Sequence, residues 1–284
     1  MAQQSRFRTG IALAKISWHT LRENKALMAF PVAGMIAALI DAIVLTLPGI
    51  LLLALTSLTW LAIVLFAISA YVAVFIGTFV GVGLCVAADK TLRGEATSFS
   101  DGIHAARERI PQIAKWALLA TTVALVIRVI EARFEGIGGT IVAALAGLAW
   151  ALVSFLAIPV IAFEGVGPIN ALKRSSSLFK QRWGQQVTGQ AITGGVVGIF
   201  IILPGILLAV IGGVMIGNAV VAAGAVVLAI GTIVIIIGSV ISGTLSQILS
   251  VALYHYAVDG QGVGPYSTEM LAGVVRPKGR AARA

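Results

Sequence analysis

The chain of 284 residues is 59% apolar and 11% charged, with a mean hydropathy of +1.02. Soluble globular domains carry about 25% charged residues, so the composition excludes that class and points to a polytopic membrane protein. A net charge of +9 in a soluble protein would suggest nucleic acid, but its placement here has a topological reading that needs no such partner.

Residues 1–26 form a basic arm with Arg6, Arg8, Lys15, Arg22 and Lys25, and with no short apolar run ending in a small-residue cleavage site. No removable signal peptide is expected. Phe7, Ile11, Ala14, Trp18 and Leu21 step by four and three, while Arg8, Lys15 and Arg22 repeat every seven on another face. That is the pattern of an amphipathic helix lying in the membrane interface.

Apolar blocks follow over 26–88, 117–163 and 187–257, each long enough for two spans of about 20 residues. The expected fold is all-α: a polytopic transmembrane bundle of about six helices, near 27–47, 59–88, 112–134, 138–163, 187–216 and 220–256. They would pair as three hairpins near 27–88, 112–163 and 187–256 within a domain at 27–258. Cys85, the single cysteine, lies inside an apolar run and excludes an intrachain disulfide. "LPGILLLAL" at 47–55 recurs as "LPGILLAVI" at 203–211, which would equate the first and third hairpins, with Pro48 and Pro204 at kinks or turns.

The polar segment between the first two blocks carries Lys90, Arg93, Arg107, Arg109 and Lys115. Ser100 is its candidate helix cap, ahead of a stripe of Ile103, Ala106, Ile110 and Ile113, and Pro111 marks a kink or restart before Trp116. The next polar segment carries Lys173, Arg174, Lys180 and Arg182; Pro168 suits a first helical turn, and Ile169, Leu172, Ser176, Phe179 and Trp183 form the stripe. The tail, 259–284, ends in Arg276, Lys278, Arg280 and Arg283. Eighteen of the twenty basic residues therefore share one side, which the positive-inside rule makes cytoplasmic, together with both termini and the amphipathic helices. Arg128 and Arg133 fall elsewhere, beside Glu131 and Glu135 at the outer end of the third helix.

Asp41 is the acid deep in a span, about 22 Å along its helix from Ala26, and Arg128 lies about 18 Å from Trp116. A lone charge in hydrocarbon is expensive, so Asp41 is expected to pair with Arg128 or else to face a water-filled cavity. Gly217, Gly224, Gly231 and Gly238 recur every seven residues and would form a smooth seam against another helix, within the chain or across a homo-oligomer. Gly77 and Gly81 offer a similar contact. His19, His104 and His255 each precede an acid by four residues; such pairs serve either as surface hydrogen bonds or as metal ligands between helix ends. Ser175, Ser176 and Ser177 lack a local histidine and a GxSxG elbow. An ion pair to Arg174 or Lys173 is expected for Glu164, at the inner end of the fourth span.

The run "WALLATTVALVIRVIEARFEGIGG" followed by "AWALVSFLAIPVIAFEGVGPINALKRSSSLFKQRWGQ" resembles a family of uncharacterised bacterial six-helix membrane proteins. It is more loosely similar to the membrane domain that accompanies some glycerophosphodiester phosphodiesterases. The resemblance covers 116–185 best and extends to "ALYHYAVDG" and "RPK". It implies an integral plasma-membrane protein of a bacterial family with no established activity; the hydrolase chemistry of the looser relative belongs to a separate soluble domain, which is not expected in this chain. Pro159, Glu164, Ala171, Arg174, Ser175 and Trp183 are carried over as motif positions, not as catalytic residues.

The resulting expectation is a non-enzymatic membrane protein with no catalytic residue, metal ligand or cofactor. Its partners would be anionic membrane lipids, or another protein, met by Arg8, Lys15, Arg22, Lys173, Arg174, Lys180 and Arg182. The alternative is a transporter or channel built on Asp41, Arg128 and the glycine seam.

Overall fold

The apolar blocks become helices because their backbone groups, out of reach of water, must bond to one another within each segment. The computed structural model describes residues 2–133, 137–183, 203–218 and 220–273, without the side chains of 2–11, 137, 182, 183, 272 and 273. These residues divide into two units, Asn24–Arg182 and a second made of Met1–Glu23 with Trp183–Ala284. Among the described residues, five helices are long and apolar enough to cross a membrane: Lys25–Leu55, Thr59–Leu92, Ile110–Arg133, Gly138–Glu164 and Val221–Asp259. Part of the expected 187–216 helix lies outside the described residues, and its remainder is the shorter Leu203–Gly217.

In the second unit, α1 (Ala2–Glu23) packs along the unit's long helix. Its covered face is Leu13, Ala14, Ser17 and Leu21, whereas Trp18 is 42% exposed. The expected stripe is thus rotated: Trp18 gives way to Leu13 and Ser17, because this side of α1 docks on protein.

The unit Asn24–Arg182 begins with α2 (Lys25–Asp41), a π-helical turn (Ala42–Thr46) and α3 (Leu47–Leu55), which run on as one helix. Asn24 caps α2 by accepting from the Ala26 N–H at 3.0 Å, and its Nδ2 donates to Thr91 Oγ1 at 3.0 Å. The start of α2 is thereby tied to the end of α4 (Thr59–Leu92). The short α5 (Phe99–Glu108) carries Gly102 against Gly83 of α4, and a Cβ at either glycine would collide with the Phe30 ring. This close approach, not Gly77, around which a Cβ would meet open space, is the small-residue contact of α4 with α5.

The cap of α5 is Ser98, not Ser100. Ser98 Oγ accepts from the Asp101 N–H at 3.2 Å, and Asp101 Oδ2 accepts from the Ser98 N–H at 3.1 Å. Only Ser98 has an acid three residues on to return the bond. Pro111 lies in the first turn of α6 (Ile110–Arg133) and marks a restart.

The fourth apolar segment is interrupted. It comprises α7 (Ile137–Ser154) and α8 (Ala157–Glu164), followed by α9 (Pro168–Trp183). In the second unit, α10 (Leu203–Gly217) and α11 (Val221–Asp259) pack along each other, and α12 (Thr268–Gly273) lies in what reads from sequence as tail. Arg276, Lys278, Arg280 and Arg283 lie outside the described residues.

The two LPG segments have matching roles. In each, the glycine admits a side chain from the following span: Phe66 at Gly49 and Ile235 at Gly205.

Candidate functional site

The motif positions converge on the corner between α8 and α9. Pro159 has no N–H to give and its ring crowds the carbonyl four residues back, so a helix through 155 cannot run on unbroken. The break leaves orphan groups on both sides. Ser175 of α9, fully buried, takes up two of them: its Oγ accepts from the Leu156 N–H at 3.1 Å and donates to the Val153 carbonyl at 2.7 Å. Ser176 bonds back to the Lys173 carbonyl, and Ser177 Oγ accepts from Gln181 Nε2. All three hydroxyls are therefore engaged in holding helices.

Glu164 ends α8, and Gly165 follows at φ +64°, a left-handed cap suited to glycine. Arg174 Nε donates to Glu164 Oε1 at 3.0 Å, so of the two cations weighed from sequence it is Arg174 that is bound. Two side chains at the junction of α5 and α6 grip the same corner: Gln112 Nε2 donates to the Gly165 carbonyl at 3.2 Å, and a Cβ on Gly165 would come within 2.9 Å of the Arg109 guanidinium. Ala171, Ser175 and Leu178 form the buried face of α9. The expected stripe is again rotated, since Ile169 is 53% exposed while Leu172, Ser176 and Phe179 are partly covered. The side chain of Trp183 lies outside the described residues.

On the side of α9 opposite its buried face, Lys173 and Lys180 are exposed and seven residues apart. Lys15 and Arg22 are likewise exposed on α1. Arg174 is bound to Glu164, and the side chains of Arg8 and Arg182 lie outside the described residues. Each histidine bonds the acid one turn on: His19 with Glu23 at 2.9 Å, His104 with Glu108 at 3.4 Å and His255 with Asp259 at 3.4 Å. Among the described residues no three potential metal ligands cluster. Asp101 is held below the ordinary carboxylate value by the Ser98 backbone N–H, then by Lys90 at 3.3 Å and the Ser98 hydroxyl.

Asp41 and Arg128 do not pair. Arg128 bonds Glu131 at 3.3 Å with its side chain 80% exposed, the i,i+3 geometry of a helix surface. Asp41 is only 8% exposed and faces α4, where Ser69 Oγ donates to its Oδ2 at 2.9 Å. Ser69 also bonds Thr46 Oγ1 at 2.9 Å. In an α-helix residues five apart point about 140° away from each other; the π-turn between Asp41 and Thr46 adds a residue to the turn and brings both onto Ser69. Its signature is the Leu47 N–H bonded to the Ala42 carbonyl, five residues back. Pro48, which offers no N–H to Val44, is the sequence feature that foreshadows a disturbed ladder here.

The glycine seam is real but shorter than its heptad spacing implies. Gly217 ends α10, a separate helix, with nothing near its Cβ position. Gly224, Gly231 and Gly238 are buried on α11. A Cβ at Gly224 would lie 2.8 Å from the Gly212 carbonyl, and one at Gly231 would lie 2.5 Å from the Ala209 nitrogen. The partner of Gly224 and Gly231 is thus α10 of the same chain, through Gly205, Ala209 and Gly212. Those small residues, spaced by four and three, are the signal that sequence reading passed over.

Comparison with known families matches residues 57–264 to a family of unknown function (DUF6159). The match covers the α8–α9 corner and names no activity and no phosphodiesterase. No curated protein and no solved structure matches the chain.

Proposed function

The chain belongs to this family of unknown function, and from that premise we propose that it is a multi-pass plasma-membrane protein, without a catalytic centre, that engages anionic phospholipid through its basic helices. The observation that carries the reading is the exposed pair Lys173 and Lys180 on α9. The opposite face of that helix is anchored by Ala171, Ser175 and Leu178, so the two lysines are presented by a fixed helix rather than a mobile loop. Leu172 and Phe179, partly covered on its flank, suit the acyl boundary below a headgroup layer. Each basic residue near an anionic surface contributes about 1 kcal/mol.

The same end of the unit carries Arg93, Arg107, Arg109 and Lys115, and the positive-inside rule supports placing it, with both termini, in the cytoplasm. Lys15 and Arg22 extend the reading to α1.

Reconstitution of the full chain in mixed bilayers tests this, with bound lipid counted by native mass spectrometry. Phosphatidylglycerol should be retained over phosphatidylcholine, and the double variant Lys173→Gln, Lys180→Gln should lose about tenfold or more of that preference. Equal retention of the two lipids, or a preference that survives both substitutions, would sink the reading.

A further inference from the structure

Asp41 stands about 24 Å along its helix from Lys25, among outward-facing apolar residues such as Leu39, Ile40, Ile43 and Val44. Its Oδ2 is bonded to Ser69, but its Oδ1 is buried and, among the described residues, has no partner. No described cation pairs with it. The titratable groups on the helices packed there face elsewhere or lie far off. Tyr71 turns its hydroxyl to the Ala114 carbonyl of α6 at 3.4 Å; on that helix Lys115 is exposed and Arg128 binds Glu131 at 3.3 Å. Lys25 is at the far end of α2, Asp89 and Lys90 lie about 30 Å along α4 from Ser69, and Asp101, His104, Arg107 and Glu108 ride on α5 near the start of α2.

A carboxylate in this position needs a positive charge that the described residues do not supply. We propose that Asp41, with Ser69 and Thr46, binds one exchangeable monovalent cation, a proton or sodium, within the membrane. The cluster is all oxygen, the chemistry that suits both. For a proton, water-borne H⁺ adds to the carboxylate and leaves a neutral acid. The two 2.9 Å hydroxyl contacts serve either state by reversing direction: Thr46 to Ser69 to Asp41 when ionised, Asp41 to Ser69 to Thr46 when protonated. For sodium, the Asp41 carboxylate supplies the charge and the Ser69 and Thr46 hydroxyl oxygens are the neighbouring neutral ligands. The π-turn is what builds the site, since without it Thr46 would point away from Ser69. Such turns recur at functional positions in helices. This site stands apart from the lipid-binding face and from its test.

Thermal unfolding of the purified full chain in detergent decides the matter. One arm raises sodium chloride against choline chloride at fixed pH and ionic strength. The other varies pH without sodium. A rise in midpoint with sodium that is absent in Asp41→Asn assigns sodium, and a rise on acidification absent in the same variant assigns the proton. Ser69→Ala keeps the carboxylate and serves if Asp41→Asn does not accumulate; it should raise the half-saturating cation concentration about tenfold. A wild-type midpoint indifferent to both cations, or a response that Asp41→Asn and Ser69→Ala leave unchanged, overturns the site.

Discussion

Ser175 Oγ accepts the Leu156 N–H at 3.1 Å across a gap in the fourth apolar segment, and passes its own proton to the Val153 carbonyl. One hydroxyl on α9 therefore replaces two bonds that the helix cannot make beside Pro159. This explains why a serine, a proline and an arginine ten residues from its glutamate occur together in the motif: they are parts of one joint.

Ser175→Ala should strand both backbone groups in a fully buried place. The expected cost is about 1–3 kcal/mol, read as a lower thermal midpoint in detergent. Ser176→Ala, whose hydroxyl bonds only the Lys173 carbonyl of its own helix, is the matched control and should shift the midpoint little.

The glycines of the α10–α11 contact should divide sharply. Gly231→Leu sets a side chain into the Ala209 backbone and is expected to lose more than about 2 kcal/mol or to stop accumulating. Gly217→Ala, with open space around it, should be close to neutral. Equal effects at the two positions, measured by expression and thermal unfolding, would mean that the seam has another partner.

Tyr266 lies outside the long apolar helices, almost fully buried, with its hydroxyl 2.6 Å from Ser17 Oγ. Burial pushes its phenol from the ordinary 10.0 up to about 12, with the Ser17 bond opposing that rise. Below pH 10 folded and unfolded chains both keep the proton, so the stabilisation is whole. Between about 10 and 12 the unfolded chain releases it first, and about 2–3 kcal/mol of stability is lost. The stability advantage of wild type over Tyr266→Phe should therefore narrow across that window, and phenolate absorbance should show one tyrosine titrating late.

Much of the molecule is legible in one dimension. Hydropathy locates the long helices, since a run of apolar residues must satisfy its own backbone whatever surrounds it. Spacing along one helix likewise predicts the histidine pairs and Arg128 with Glu131 on one face, and nearness in the chain predicts a cation for Glu164 across the α8–α9 corner, because those partners are joined by a short stretch of chain. Asp41 shows where this ends. Its position along its own helix is readable by counting residues, but the count for Arg128 runs along another helix and does not set the two at one level: Tyr71, two residues from Ser69, bonds the Ala114 carbonyl, about 21 Å along α6 from Arg128. The π-turn and the packing of α2 on α4 turn Asp41 to Ser69, leaving Arg128 outside on α6. Gly231 and Ser175 follow the same rule: their residue types announce a close approach or an unpaired hydroxyl, while the partner depends on which faces of distant segments meet.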